Sequence, residues 1–395
     1  MDLRETAEDR SFRAELSSWL ASAVPAHGPA PDWSDTQASR AYVMGWQRKL
    51  YEAGYAGVHW PKEYGGRDAS LSQQLIYHEE TARAKAPQDG MLFVGLNHGG
   101  PTVMVEGTPE QKEKHLPSIL RGDEIWCQGF SEPSAGSDLA NLQTRALRVG
   151  DDYIVTGQKI WTSFAQAADY CELLVRTDPD ASKHGGISWL ILDMRSEGLE
   201  IQPLKTIRGG EEFSQVFLEE VRVPVSSRVG AENDGWRVSN VTLRFERGTA
   251  FAGQMVRTRE LLSDMAAAAK RVTRWDGTAW DDTSLRREIG ILQAELDALW
   301  ALVKLSVSEA SATGVPGLSG SAVKLAYTDI YQRAGQLAHA IIGRAGLDID
   351  VPSDNAARSF AGASIGSMSL SIAAGTSQIQ RNIISERILG LPKGR

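Results

Sequence analysis

Gln128-Gly-Phe-Ser-Glu-Pro-Ser-Ala-Gly-Ser-Asp138, followed by Gly157-Gln-Lys-Ile-Trp-Thr-Ser163, is the pair of segments on which the reading of this chain turns. Ser131, Ser134 and Ser137 offer hydroxyls, and Gly129 and Gly136 let backbone approach a planar or anionic ligand. Trp161 adds a large flat face and one N–H donor. Small hydroxyl residues beside a Trp suit a ring that needs both stacking and hydrogen bonds. The same residues also suit a polar hairpin turn with a core Trp.

The flanking sequence gives these segments a setting. From about 123 to 230 the chain reads as short strands bounded by Gly, Asp and Pro: Tyr153-Ile-Val-Thr-Gly-Gln-Lys-Ile-Trp161, Cys171-Glu-Leu-Leu-Val-Arg176, Ile187-Ser-Trp-Leu-Ile-Leu-Asp193 and Ser214–Pro224. Their spacing suggests a small antiparallel barrel or sandwich rather than βαβ units. No GxGxxG stands at a strand-to-helix turn, so a Rossmann fold has no support. Residues 1–122 read as helical. Phe12, Leu16, Trp19 and Leu20 share one face, and Thr108-Pro-Glu-Gln111 is a helix start with a capping box. Residues 231–395 return to long helices, expected at Trp236–Lys270, Leu285–Ser311, Ser321–Gly343 and Ser367–Leu389, which makes a four-helix bundle the default. The small-residue run from Ala361 to Ser369 is most simply a close approach of two helices.

Composition narrows the function. The 395 residues carry a net charge of −8, with 42% hydrophobic and 23% charged residues, as in a soluble globular protein without a nucleic-acid surface. The only two cysteines, Cys127 and Cys171, form no CxxC, which argues against a disulfide framework or a structural zinc and fits a reducing cytoplasm. The charged N-terminus is unlike a signal peptide, and no run of 18 apolar residues exists, so no membrane association is expected. His98 and His115 lack ligand spacing and read as packing or surface residues; no metal is expected.

The order of helices, strands and helices, together with five motifs, resembles the acyl-CoA dehydrogenase family. The motifs are Trp60-Pro-Lys-Glu-Tyr-Gly-Gly66, Gly107-Thr-Pro-Glu-Gln-Lys112, Ser131-Glu-Pro-Ser-Ala-Gly-Ser-Asp138, Gly157-Gln-Lys-Ile-Trp161 and Gly375-Thr-Ser-Gln-Ile-Gln-Arg381. The resemblance implies an N-terminal α-helical domain (1–122), a middle antiparallel β-barrel domain (123–230) and a C-terminal four-helix bundle (231–395). It also implies non-covalent FAD, an acyl-CoA substrate, electron-transferring flavoprotein as acceptor and a homo- or hetero-tetramer. Carried over by position, Gln128, Phe130, Ser131, Ser137, Trp161, Ser163, Thr376 and Gln378 would contact FAD. Ser137, Arg244, Arg247 and the backbone N–H of Ala374 would contact substrate.

Dehydrogenation needs a base for the α-proton. Many family members carry a Glu just before the last Gly-Thr, but here Ala374 stands there and takes no proton. A second arrangement in the family places the base in a Glu-Arg pair on an earlier bundle helix. Leu243-Arg-Phe-Glu-Arg-Gly-Thr-Ala250 matches it and makes Glu246 the candidate base. A solvated pair of Glu246 with Arg247 is a poor alternative, because adjacent helical residues do not face each other.

Two further departures concern the adenine end of FAD. Arg271-Val-Thr-Arg-Trp-Asp-Gly277 stands where the family has Arg-x-x-Phe-Gly, and Gly343-Arg-Ala-Gly346 where it has Gly-Gly-x-Gly. They suggest altered FAD contacts or a second, different subunit, as in bacterial members acting on bulky steroid side-chain thioesters, which this chain resembles. The alternatives are a flavin monooxygenase or oxidase on the same fold, and an FAD-poor partner subunit of a hetero-oligomeric dehydrogenase.

Overall fold

The computed structural model describes residues 4–245, 251–313, 320–347 and 356–392. The chain divides into two compact units, one built from 22–69 and 87–246, the other from 1–21, 70–86 and 247–395. The helices in chain order are α1 (Ala7–His27), α2 (Thr36–Glu52), α3 (Leu71–Arg83), α4 (Gly100–Glu106) and α5 (Pro109–Arg121), then α6 (Gly235–Phe245), α7 (Ala252–Ala269), α8 (Thr283–Thr313), α9 (Gly320–Ile342), α10 (Ala356–Ser367) and α11 (Ser377–Ile383). The strands between α5 and α6 are β1 (Trp126–Gly129), β2 (Arg145–Val149), β3 (Asp152–Ser163), β4 (Tyr170–Arg176), β5 (Ile187–Asp193), β6 (Leu199–Leu204), β7 (Phe213–Pro224) and β8 (Arg228–Val229).

In the first unit these strands form one sheet in the order β6-β7-β3-β2-β4-β5-β8. Its pairings are mostly antiparallel, as expected; β4 in addition takes β1 and the end of β2 in parallel. Val216, Leu218 and Val221 of β7 share one core with Leu190 and Leu192 of β5, although these strands lie far apart in the sheet order. A sheet whose distant strands share a core is curled on itself, which closes the apolar face without a second layer. Ahead of it, the expected capping box opens α5: the Thr108 hydroxyl accepts the Gln111 N–H, and the Gln111 side chain accepts the Thr108 N–H. Gly122 ends α5 in the left-handed region, at φ 74°, where a side chain would be strained. Leu116, Ile119 and Leu120 form its buried face.

In the second unit α7, α8, α9 and α10 pack around Met255, Leu262, Leu292, Leu296, Tyr327, Ala338, Ile341 and Phe360. A Cβ on Gly335 of α9 would lie 2.8 Å from the Cα of Ser364, so the small residues of α9 and α10 do mark a close helix approach. Arg13 of α1 pairs with Glu79 of α3 at 2.7 Å and also with Glu80, and Arg83 pairs with the same two carboxylates.

One expected helix differs. The Trp236–Lys270 stretch contains α6 and α7, and residues 246–250 between them lie outside the described residues. Ser367–Leu389 is not one helix. A 3-10 turn at Met368–Ser371 leads into a loop, then α11, then a π-helical turn at Ile384–Ile388. The break has a local cause. Ala374 (φ 52°) and Gly375 (φ 80°) are both left-handed, and the Thr376 hydroxyl accepts the Ile379 N–H to start a new helix.

Candidate active site

The first motif runs off the end of β1. Parallel pairing sets Gln128 opposite Glu172 of β4, and the Gln128 amide nitrogen donates to Glu172 at 2.8 Å and lies 3.2 Å from Nδ1 of His98. The side chain of Gln128 therefore faces a buried carboxylate and a buried imidazole. Beyond it, the Ser131 carbonyl accepts the Ile160 N–H at 2.9 Å, which ties the first motif to the second.

Both sides of Ser131 are fixed by one buried ion pair that the motif reading did not assign. Lys159 Nζ lies 2.7 Å from Glu132 Oε1 and donates to the Phe130 carbonyl at 3.2 Å. The Glu132 carboxylate also accepts the backbone N–H groups of Gln143 (2.6 Å) and Thr144 (2.9 Å). Burial pushes the Glu132 carboxyl up, but the Lys159 charge and these hydrogen bonds outweigh it and hold it below the usual carboxylate value. Burial pulls Lys159 below the usual lysine value, against the attraction of Glu132. A signal for the pair was present. Lys159 has the same strand parity as the buried Tyr153 and Val155, and a lysine on a core face needs a partner.

Between Lys159 and Thr162 the pairing of β3 with β7 shifts register, and this irregularity re-aims Trp161. Trp161 is left-handed (φ 62°) and 59% exposed, so it is not a core residue. Its ring meets Phe213 edge-on, with centroids 6.0 Å apart. A bulky residue in this backbone region is an outlier, and such strain clusters at ligand sites. Ser131 and Ser163 are half-buried beside it, while Phe130 is buried. Ser137 is exposed, past a tight turn in which Glu132 and Ala135 exchange both backbone hydrogen bonds. An outward-facing indole flanked by two serine hydroxyls fits the face and polar edge of an isoalloxazine ring.

The second unit carries the other expected contacts. Ala374, Thr376 and Gln378 occupy the loop before α11 and its first turn; Ala374 and Gln378 are exposed, and the Thr376 hydroxyl is the helix cap. The Gln380 amide nitrogen donates to the Ala374 carbonyl at 2.9 Å. Arg244 stands in the last turn of α6; Glu246 and Arg247 lie outside the described residues. The two altered adenine-end segments meet each other. Arg274, on a small hairpin, donates to the carbonyls of Ala340 (2.6 Å) and Ile341 (2.8 Å), which closes the end of α9 just before Gly343. Trp275, at the tip of that hairpin, is fully exposed.

Sequence models of the acyl-CoA dehydrogenase N-terminal, middle and C-terminal domains match residues 6–123, 127–221 and 233–389. The chain belongs to the acyl-CoA dehydrogenase family. It is an oxidoreductase of that family, whose members depend on FAD. It is 36% identical over 391 residues to acyl-CoA dehydrogenase IpdE1 of Mycobacterium tuberculosis, covering 97% of each chain. Among solved structures it resembles the ChsE4-ChsE5 complex from Mycobacterium tuberculosis (TM-score 0.84, 34% identity, 100% of both chains) and the Tcur3481-Tcur3483 steroid acyl-CoA dehydrogenase (TM-score 0.84, 32% identity, 100% of both chains). Among the described residues no helix is long and apolar enough to cross a membrane, and no group of three or more His, Cys, Asp or Glu is placed to hold a metal ion.

Proposed function

We propose that this protein dehydrogenates an acyl-CoA thioester between its α and β carbons, with Glu246 as base and FAD as the redox group. When bound, FAD supplies the acceptor for the β-hydride. The chain supplies the rest. Trp161, Ser131 and Ser163 hold the face and edge of the ring, with Phe130, Gln128 and Ser137 on the same segment and Thr376 and Gln378 from the bundle unit. The Glu246 carboxylate takes the α-proton. Arg244, Arg247 and Ser137 contact the substrate, and the Ala374 N–H donates to the thioester oxygen as negative charge develops there.

The observation that carries this reading is the geometry at Ala374. The family's more frequent base is missing, yet its backbone keeps an exposed left-handed turn, and among the described residues the Ala374 N–H meets no acceptor. A backbone donor survives the loss of a carboxylate. The base has moved and the carbonyl-polarising group has stayed.

A bulky, steroid-derived acyl group is the proposed substrate class, supported by likeness to a steroid acyl-CoA dehydrogenase along the full chain. Electron-transferring flavoprotein is the proposed acceptor. The proposed assembly is a tetramer with a second, different chain, supported by likeness to a two-chain complex and by the altered adenine-end segments. The proposed domain limits are 1–122, 123–230 and 231–395, in a cytoplasmic enzyme. Glu246→Gln tests the base. The variant is expected to keep fold and flavin content and to lose turnover by about a thousandfold or more; near-full activity contradicts the assignment.

A further inference from the structure

Lys324 of α9 is buried, and its ammonium donates to two backbone carbonyls, Leu370 O at 2.6 Å and Gly375 O at 2.9 Å. These two acceptors bracket the turn that contains Ala374. Inside the bracket the N–H groups of Ile372 and Ala373 fold back on the Ser369 carbonyl, at 3.0 and 2.9 Å. Gln380 holds the Ala374 carbonyl from the other side. A non-glycine residue at φ 52° is strained and persists only when its surroundings over-determine it. Here the surroundings are one ammonium and one amide.

Among the described residues, the ammonium of Lys324 is in an ion pair with no carboxylate. Burial pushes its pKa below the usual lysine value, whereas at Lys159 the neighbouring Glu132 works against the same effect. A buried cation matched only by carbonyls is costly, and its structural effect is confined to the turn. Drawing Leu370 O and Gly375 O to one nitrogen closes the turn at both ends, and among the described residues the Ala374 N–H meets no acceptor.

We infer that Lys324 is the positioning residue for the Ala374 N–H, fixing the turn 370–375 so that this donor is held ready for the thioester oxygen. The inference rests on the thioester reading above, and Lys324 itself touches no substrate. It acts through geometry, as a buried support behind the one donor that a side-chain substitution at 374 cannot remove.

The test uses the flavin-loaded full chain and its Lys324→Met and Lys324→Arg variants. The probe is 4-(dimethylamino)cinnamoyl-CoA, a thioester whose absorption moves to the red when its carbonyl is polarised. Hydrogen exchange of the 369–376 amides reports the turn directly. In Lys324→Met, exchange at the turn is expected to rise about tenfold or more with flavin content unchanged. The red shift of the bound probe is expected to shrink. Turnover is expected to fall about 100-fold with KM within about threefold of wild type, the pattern for loss of an interaction made in the transition state. Lys324→Arg should restore part of the shift. If Lys324→Met does not fold, Lys324→Gln, which keeps one donor, is measured in the same way. A variant with faster exchange or lower Tm but a wild-type red shift and turnover overturns the positioning role alone. A wild-type chain that binds the probe without any shift overturns the thioester reading and this inference with it.

Discussion

Lys159 Nζ and Glu132 Oε1 are 2.7 Å apart, both buried, and together they brace the backbone around Ser131 from inside the barrel. The lysine belongs to the second site motif and the glutamate to the first. One ion pair thus joins the two segments that are proposed to carry the flavin.

The pair makes a graded stability prediction. Lys159→Met leaves the Glu132 carboxylate buried beside two backbone donors and without its ion-pair partner, which should cost about 3–5 kcal/mol in urea unfolding. Adding Glu132→Gln to that variant removes the stranded charge and should recover part of the loss. Equal or greater destabilisation in the double variant would mean that the backbone hydrogen bonds of Glu132, not the charge pairing, carry the effect.

Acid should weaken the fold partly through His59. Burial pushes its imidazole down to about 4, whereas an unfolded histidine titrates near 6.5. Between these values the unfolded chain binds the extra proton, so this contribution to stability is complete above about pH 6.5 and declines as pH falls toward 4. The check is Tm against pH for wild type and His59→Gln. The difference between the two curves should shift against wild type on acidification; a constant difference would contradict the assignment.

Trp161 should behave as a ligand residue rather than a core residue. Because the indole is exposed, Trp161→Ala should change stability by less than about 1 kcal/mol. Flavin retained through gel filtration should nevertheless drop. A large loss of stability with normal flavin content would reverse this view.

The sequence made the main architecture legible because its signals are local. The capping box at Thr108, the short apolar strands between Gly and Pro, and the small residues where α9 meets α10 each have the structure their chemistry implies. What it concealed depends on backbone angles and on contacts across the chain. The stretch from Ser367 to Leu389 has helical composition, and nothing in an alanine at 374 announces a left-handed φ; only Gly375 followed by the N-cap Thr376 hinted at a break. The exposure of Trp161 follows from a register shift between β3 and β7, which strand periodicity does not show. Strand parity marks Lys159 as a core-face lysine in need of a partner, but does not show that Glu132 and the Phe130 carbonyl supply it; Lys324 carries no such mark, and only the folded chain sets it against Leu370 and Gly375.

The central claim is dehydrogenation of an acyl-CoA. Its most direct test is an anaerobic visible titration of the purified flavin-loaded protein with acyl-CoAs, including branched and steroid side-chain thioesters. The flavin band is expected to bleach with a bulky, steroid-derived thioester when Glu246 is intact, and to be unresponsive in Glu246→Gln. A flavin band that no thioester bleaches, but that responds to oxygen after chemical reduction, would contradict it and favour an oxidase or monooxygenase.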